Sequence, residues 1–229
     1  MRILVCDTSN STCCAGIYED GRELAYELSL EKKTHSETFM PLVMRVVEQS
    51  GLTLQDIDVL ASTIGPGSYT GIRIGLSAVK GMALALGINV IPVSSLKALA
   101  MSVQNVIANP SNTVLIPCFD ARNDRVFGAA LTGDTHENLI EDGAYSNEEF
   151  SDLLKNIADI TDKQIIVIGD GAPVLQKVLD WAPKTEYANG CVILPKGIYG
   201  ASKGVEAMDG AAVTASYCSG TRADKYSNK

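Results

Sequence analysis

Histidine is nearly missing from this chain of 229 residues: His35 and His136 are the only two, and neither is followed four residues later by another. A pair of imidazole ligands on one helix face is thereby excluded, and no metal site is expected. The six cysteines, Cys6, Cys13, Cys14, Cys118, Cys191 and Cys218, contain no C-x-x-C pair, and Cys13 adjoins Cys14. That spacing suits neither a zinc knuckle nor a disulfide framework, so buried thiols in a reducing compartment are expected. No apolar run approaches the roughly 18 residues that a membrane span needs. Positive charge is also short, with 19 Lys and Arg against 27 Asp and Glu and a formal net charge of −8. The expectation is a soluble cytoplasmic protein without membrane contact, one that meets nucleic acid only through a partner.

Two catalytic signatures are missing as well. The glycine-rich stretch 64–86, IGPGSYTGIRIGLSAVKGMALAL, has no Gly-Lys-Ser or Gly-Lys-Thr, and Gly65 and Gly67 lack a third glycine three residues on. It is not a phosphate loop of either common kind. No G-x-S-x-G elbow occurs, and Ser68 has no histidine that can be assigned to it. No catalytic residue is therefore named.

What is present is a repeated plan. Residues 3–6 read as a buried strand, 11–19 as a second, Asp20-Gly21 as a two-residue hairpin turn, and 24–30 as a third strand that alternates apolar with polar. A helix over 37–49 follows, with Thr34 and Glu37 spaced as a capping box and Pro41 inside. Then come a strand over 58–64, a helix over 70–86, a strand over 90–93 and a helix over 94–106. After the turn-rich break at 109–112 the order restarts: strands over 114–119, 126–131 and 139–145, a helix over 148–158, a strand over 164–168 and a helix over 174–181. The domain reading is an N-terminal lobe over 1–108 and a C-terminal lobe over 109–202. A helix near 203–220 is expected to pack on the first lobe, and the last nine residues, TRADKYSNK, read as a solvated tail.

In this scheme Asp7 and Asp120 occupy equivalent places, each ending a first strand. Two lobes that each open with a strand, an Asp-bearing turn and a hairpin resemble the α/β fold of the actin, sugar-kinase and Hsp70 superfamily, a ribonuclease H-like duplication. In that superfamily the turns hold nucleotide phosphates through backbone N–H groups. Here the first turn, with Asp7, Thr8 and Ser9, and the second, with Asp120 and Arg122, both lack a glycine that would admit phosphate. Gly169 and Gly171 stand where the superfamily contacts adenosine, and a glycine turn before a helix accounts for them equally well. The reading is a degenerate nucleotide cleft with no required cofactor, which leaves weak or regulatory nucleotide binding open.

The stretch 70–86 reads instead as a helix with a narrow polar stripe of Arg73, Ser77 and Lys80. Glycine inside a helix costs about 1 kcal/mol relative to alanine, so Gly71, Gly75 and Gly81 need a reason, and close approach of another backbone is the usual one. The helix over 37–49 is apolar on most sides too. Together they suggest a partner that completes a helix bundle through Phe39, Met40, Val43, Met44, Val47, Gly71, Ile74, Gly75, Ala78 and Met82.

With GPGSYTGIRIGLSAVKGMA, LVCDTSNSTCCAGI, THSETFMPLV and FDARNDRVF in view, the chain resembles the bacterial TsaB (YeaZ) family over essentially its whole length. The resemblance implies a non-catalytic dimerisation subunit in the synthesis of N6-threonylcarbamoyladenosine at position 37 of tRNAs that read ANN codons. It implies docking onto the catalytic subunit TsaD through the first two helices, the ATPase TsaE joining the pair, tRNA met indirectly, and a homodimer when the chain is alone. TsaD holds a metal partly through an H-x-x-x-H helix, and here His35 is followed by Phe39 at the matching place. The family's DARR loop departs to Asp120-Ala121-Arg122-Asn123. The rival reading is an autonomous ATP-binding enzyme of the superfamily or a glycoprotease-like peptidase.

Overall fold

A computed structural model describes residues 1–30 and 34–218. The tail TRADKYSNK lies outside the described residues. The chain forms two compact units, one of Met1–Ser102 with Val192–Ala215 and one of Val103–Cys191 continued from residue 216.

In the first unit, β1 (Arg2–Asp7), β2 (Cys13–Glu19) and β3 (Arg22–Ser29) form an antiparallel meander. Asp20 at φ 48° and Gly21 at φ 93° turn the chain between β2 and β3, the left-handed geometry that matches the twist of a tight hairpin. The helix α1 (His35–Ser50) leads to β4 (Val59–Gly65), α2 (Tyr69–Leu86), β5 (Val90–Ser94) and α3 (Ser95–Ser102). The strands are ordered β3-β2-β1-β4-β5, with β1, β4 and β5 parallel. Strand β1 lies in the centre, which is why its residues from Ile3 to Asp7 are all buried.

The second unit repeats the plan with β6 (Thr113–Asp120), β7 (Arg125–Thr132), β8 (Asn138–Ser146), α4 (Asn147–Lys155), β9 (Gln164–Ile168), α5 (Ala172–Leu175) and β10 (Thr185–Ala188). Its strand order β10-β9-β6-β7-β8 is the order of the first sheet read from the opposite edge. Each sheet pairs its first strand antiparallel to the second and parallel to the strand after the first helix. This is the duplicated α/β plan of the actin, Hsp70 and sugar-kinase superfamily.

Several expectations change. The domain boundary expected at 108 falls at Ser102, and the chain returns to the first unit at Val192, ahead of the expected 202. The returning segment carries α6 (Pro195–Ser202), which the sequence reading did not contain. In place of the helix expected near 203–220, the described residues from 203 onward are non-helical and pair through Met208 with Val90, N–H to carbonyl in both directions at 2.8 and 2.9 Å. The backbone leaves helical geometry at Lys203, with φ −66° and ψ 129°, and Gly204 follows at φ 77°. A Cβ on Gly197 would overlap the Ala98 carbonyl and the Ser102 hydroxyl, so this glycine lets α6 lie directly on α3. The helix expected over 94–106 ends at Ser102, whose hydroxyl donates to the Ala98 carbonyl and accepts from Leu194 N–H at 2.9 Å. The helix expected over 174–181 is reduced to the four residues of α5.

One core of the first unit joins Leu4, Cys6, Ala15 and Ile17 of the sheet to Phe39, Leu42, Val43 and Val46 of α1 and to Leu76, Val79 and Met82 of α2. Both helices thus lie on one sheet face, while α6 packs on the other, where Tyr18 and Tyr199 stack at 4.4 Å between ring centroids.

Candidate functional site

Strand β1 ends in Asp7, and the turn that follows is folded inward: Asp7, Thr8 and Ser9 are all buried. The Oδ1 atom of Asp7 accepts from Ser9 N–H at 3.0 Å, the Ser9 hydroxyl at 2.6 Å and the Thr63 hydroxyl at 2.5 Å. Its Oδ2 atom is buried without a hydrogen-bond partner. Burial pushes the Asp7 carboxyl above the ordinary range, although the Ser9 and Thr63 donors pull in the opposite direction.

The start of α2 fills the space in front of this turn. Ser9 carbonyl accepts from Ser68 N–H at 2.7 Å, and the Thr8 hydroxyl donates to the Gly71 carbonyl at 2.7 Å. Ser68 caps the helix by accepting from Gly71 N–H. A Cβ on Gly67 would overlap the Ser9 carbonyl, one on Gly71 the Thr8 carbonyl, and one on Gly75 the Thr8 hydroxyl. The glycines at 67, 71 and 75 therefore accommodate the chain's own turn. The reading that reserved Gly71 and Gly75 for a partner helix is corrected on that ground.

Burial corrects more of the expected interface. Phe39, Val43, Val47 and Met82 belong to the core between α1, α2 and the sheet, so they are not available to a partner. Met40, Met44, Ile74 and Ala78 keep surface, Met44 at 47% exposure. The outward side of α2 also carries Gly81, Leu84 and Ala85, all exposed and none in the expected set. Gly81 has nothing within 4 Å of an added Cβ, and Leu84 is 87% exposed. The burial period of 3.6 residues separates the two faces, but with apolar residues on both, sequence alone could not say which one meets the sheet.

His35 opens α1, and its Nε2 lies 2.6 Å from the Asn10 carbonyl. Phe39, one turn on, is buried. A cleft of about 590 Å³ at His35 is lined also by Ser11, Thr12, Ser68, Thr70 and Ile74, among others.

The second unit's turn is built differently. Asp120 is exposed and accepts from Arg122 N–H at 2.7 Å, while its own N–H donates to Asp170 Oδ1 at 3.1 Å. Arg122, Asn123 and Asp124 stand at φ 63°, 53° and 56°, three successive left-handed residues without a glycine. Gly169, at φ 103°, donates to the Ala188 carbonyl, and Gly171 sits so close to Cys118 and Phe119 that a Cβ would approach them to 3.0 Å. Both glycines thus have local structural reasons.

Among the described residues no helix is long and apolar enough to cross a membrane, and no group of three or more His, Cys, Asp and Glu side chains is arranged to hold a metal ion.

A family model described as TsaD, tRNA N6-adenosine threonylcarbamoyltransferase, matches residues 29–197. The tRNA threonylcarbamoyladenosine biosynthesis protein TsaB of Escherichia coli K12 is 34% identical over 155 residues, 68% of this chain and 63% of that protein. The protein of the same name from Bacillus subtilis 168 is 35% identical over 127 residues, 56% of this chain and 53% of that protein. The matched region thus spans between about half and two thirds of these relatives' length. Among solved structures, YeaZ from Pseudomonas aeruginosa superposes with a TM-score of 0.78 over 94% of this chain and 99% of that one, at 22% identity. The family model covers well over half of the chain, and with these relatives it shows that the chain belongs to the TsaD-type threonylcarbamoyltransferase family and, within it, to the TsaB (YeaZ) proteins.

Proposed function

We propose that this chain is a non-catalytic scaffold subunit that docks onto TsaD and supports N6-threonylcarbamoylation of adenosine 37 in tRNAs reading ANN codons. The observation that carries the reading is the outward apolar side of α1 and α2, where Met44, Gly81 and Ala85 are exposed, and Ile74, with Met40 and Ala78 at the edge of the core, keeps part of its surface. Two neighbouring helices with spare apolar surface are half of a bundle, and a partner that presents two more would bury it. The same surface accounts for a homodimer when the chain is alone. TsaE and tRNA then join through the complex, which suits a chain of formal charge −8.

The scaffold reading is preferred over an autonomous ATP-binding enzyme or a peptidase because the space in front of the turn that would face phosphate is filled by the start of α2, packed on Thr8 and Ser9. The relatives are named for tRNA threonylcarbamoyladenosine biosynthesis, which supports a place in that process.

Ala78→Arg tests the docking surface. The position is partly exposed, so the fold should survive while co-purification with TsaD is lost. A folded Ala78→Arg chain that co-purifies at wild-type yield would sink the proposed surface. Reconstituted tRNA modification should need the chain, and equal rates from TsaD without it would refute the scaffold role.

A further inference from the structure

We infer that Thr8 is the positioning residue of the docking helix: the turn after β1 serves as a brace that sets where the outward face of α2 stands. The inference rests on the docking reading above and adds a residue that makes no contact with the partner. The chain of contacts runs without a gap. Thr63 on β4 and Ser9 hold the Asp7 carboxylate, which fixes the turn to the centre of the sheet. Ser9 carbonyl receives Ser68 N–H, and the Thr8 hydroxyl is bonded to the Gly71 carbonyl, so the turn grips the cap and the first turn of α2.

The glycines show how close the grip is. Gly71 and Gly75 lie one helical turn apart, and a Cβ on either would overlap Thr8, on its carbonyl in one case and its hydroxyl in the other. Gly81, later in the same helix, meets nothing within 4 Å, so glycine there does not serve the same contact. Ile74 lies between Gly71 and Gly75 in sequence, and Ala78 is one turn beyond Ile74. Both are partly exposed members of the outward face. Any change in the Thr8 contact therefore shifts α2 directly behind the residues that dock.

Size exchange between Thr8 and Gly75 tests this, with affinity for purified TsaD measured by titration well below the melting temperature. Gly75→Ala should weaken binding more than tenfold, because its Cβ displaces Thr8 or the helix. Adding Thr8→Ala removes the hydroxyl from that space and should recover most of the loss. Thr8→Val, which keeps the shape but not the bond to Gly71, should weaken binding about tenfold, while Thr8→Ser stays within about twofold. A Thr8 with only a general structural role would lower the melting temperature in all these variants and leave the affinity of the folded protein unchanged. Wild-type affinity in folded Gly75→Ala, or no recovery in Thr8→Ala with Gly75→Ala, overturns the brace. Should wild type itself not bind TsaD, the docking reading falls and the brace with it, an outcome distinct from binding that ignores Thr8.

Discussion

The ends of β1 and β6 occupy the same place in two copies of one plan, yet they are used in opposite ways. The first turn, Asp7 to Ser9, is buried and bonded to the helix that follows β4, and that helix runs from Tyr69 to Leu86. The second, Asp120 to Asp124, is mostly exposed and left-handed at three residues, and the helix after β9 runs only from Ala172 to Leu175. A shared topology thus prescribes where a turn sits and leaves its occupancy to the residues beside it. Glycines at 67, 71 and 75 allow a long helix to close on the first turn. In the second unit, Gly171 brings α5 close to Cys118 and Phe119 of the strand itself.

The comparison breaks most sharply at the glycines of α2. Gly71→Ala forces a Cβ onto a backbone carbonyl that cannot rotate away, and it should destabilise the first unit by about 3 kcal/mol or more. Gly171→Ala, with its nearest neighbours at 3.0 Å, should cost less, and thermal unfolding of the two variants ranks them.

The two aspartates should differ next. Asp7→Ala leaves Ser9 N–H, the Ser9 hydroxyl and the Thr63 hydroxyl without their acceptor in a buried place, an expected loss of about 2–4 kcal/mol. Asp120→Ala removes one exposed acceptor from Arg122 N–H and should cost below about 1 kcal/mol. Denaturant titration of both variants checks the ratio.

Acidity gives a second handle on the first turn. Burial raises the Asp7 carboxyl above its unfolded value of about 3.9. The folded state therefore keeps a proton that the unfolded chain gives up. Stability falls as pH rises from the unfolded value through the folded one, and the full cost of the buried charge is present above it. Asp7→Asn should flatten that segment of the stability curve, as denaturant titration at a series of pH values would show.

The smallest effects concern backbone preference. Arg122→Gly relieves one left-handed residue and should stabilise by roughly 0.5–1 kcal/mol. Gly81→Ala, in open space on a helix, should stabilise by about 1 kcal/mol at most, the reverse of Gly71→Ala ten residues earlier. A drop in melting temperature for Gly81→Ala would show that α2 is crowded there as well.

Much of the fold was legible because its signals are local. Alternation along 24–30, the Asp20-Gly21 turn and the apolar run of 3–6 each report on their own strand, and the restart after residue 109 exposed the duplication. The returning α6 was not legible, since PKGIYGAS reads weakly as a helix and its place on α3 depends on Gly197 meeting Ala98 and Ser102 nearly a hundred residues earlier. The site was half legible. Excess apolar surface on α1 and α2 was visible in the pattern, but Phe39, Val43, Val47 and Met82 turned out to face inward, while Gly81, Leu84 and Ala85 face outward.

By itself the sequence determined the two-copy plan, the family, and the conclusion that Gly71 and Gly75 mark close approach rather than a phosphate loop, whereas Gly81, expected to do the same, stands in open space. Periodicity and backbone preference act over a few residues, so those conclusions need no partner in space. Only the tertiary structure decided what approaches. Thr8 and Ser9 lie some sixty residues before the glycines that receive them, and a contact of that separation is chosen by the packing of β1, β4 and α2 together.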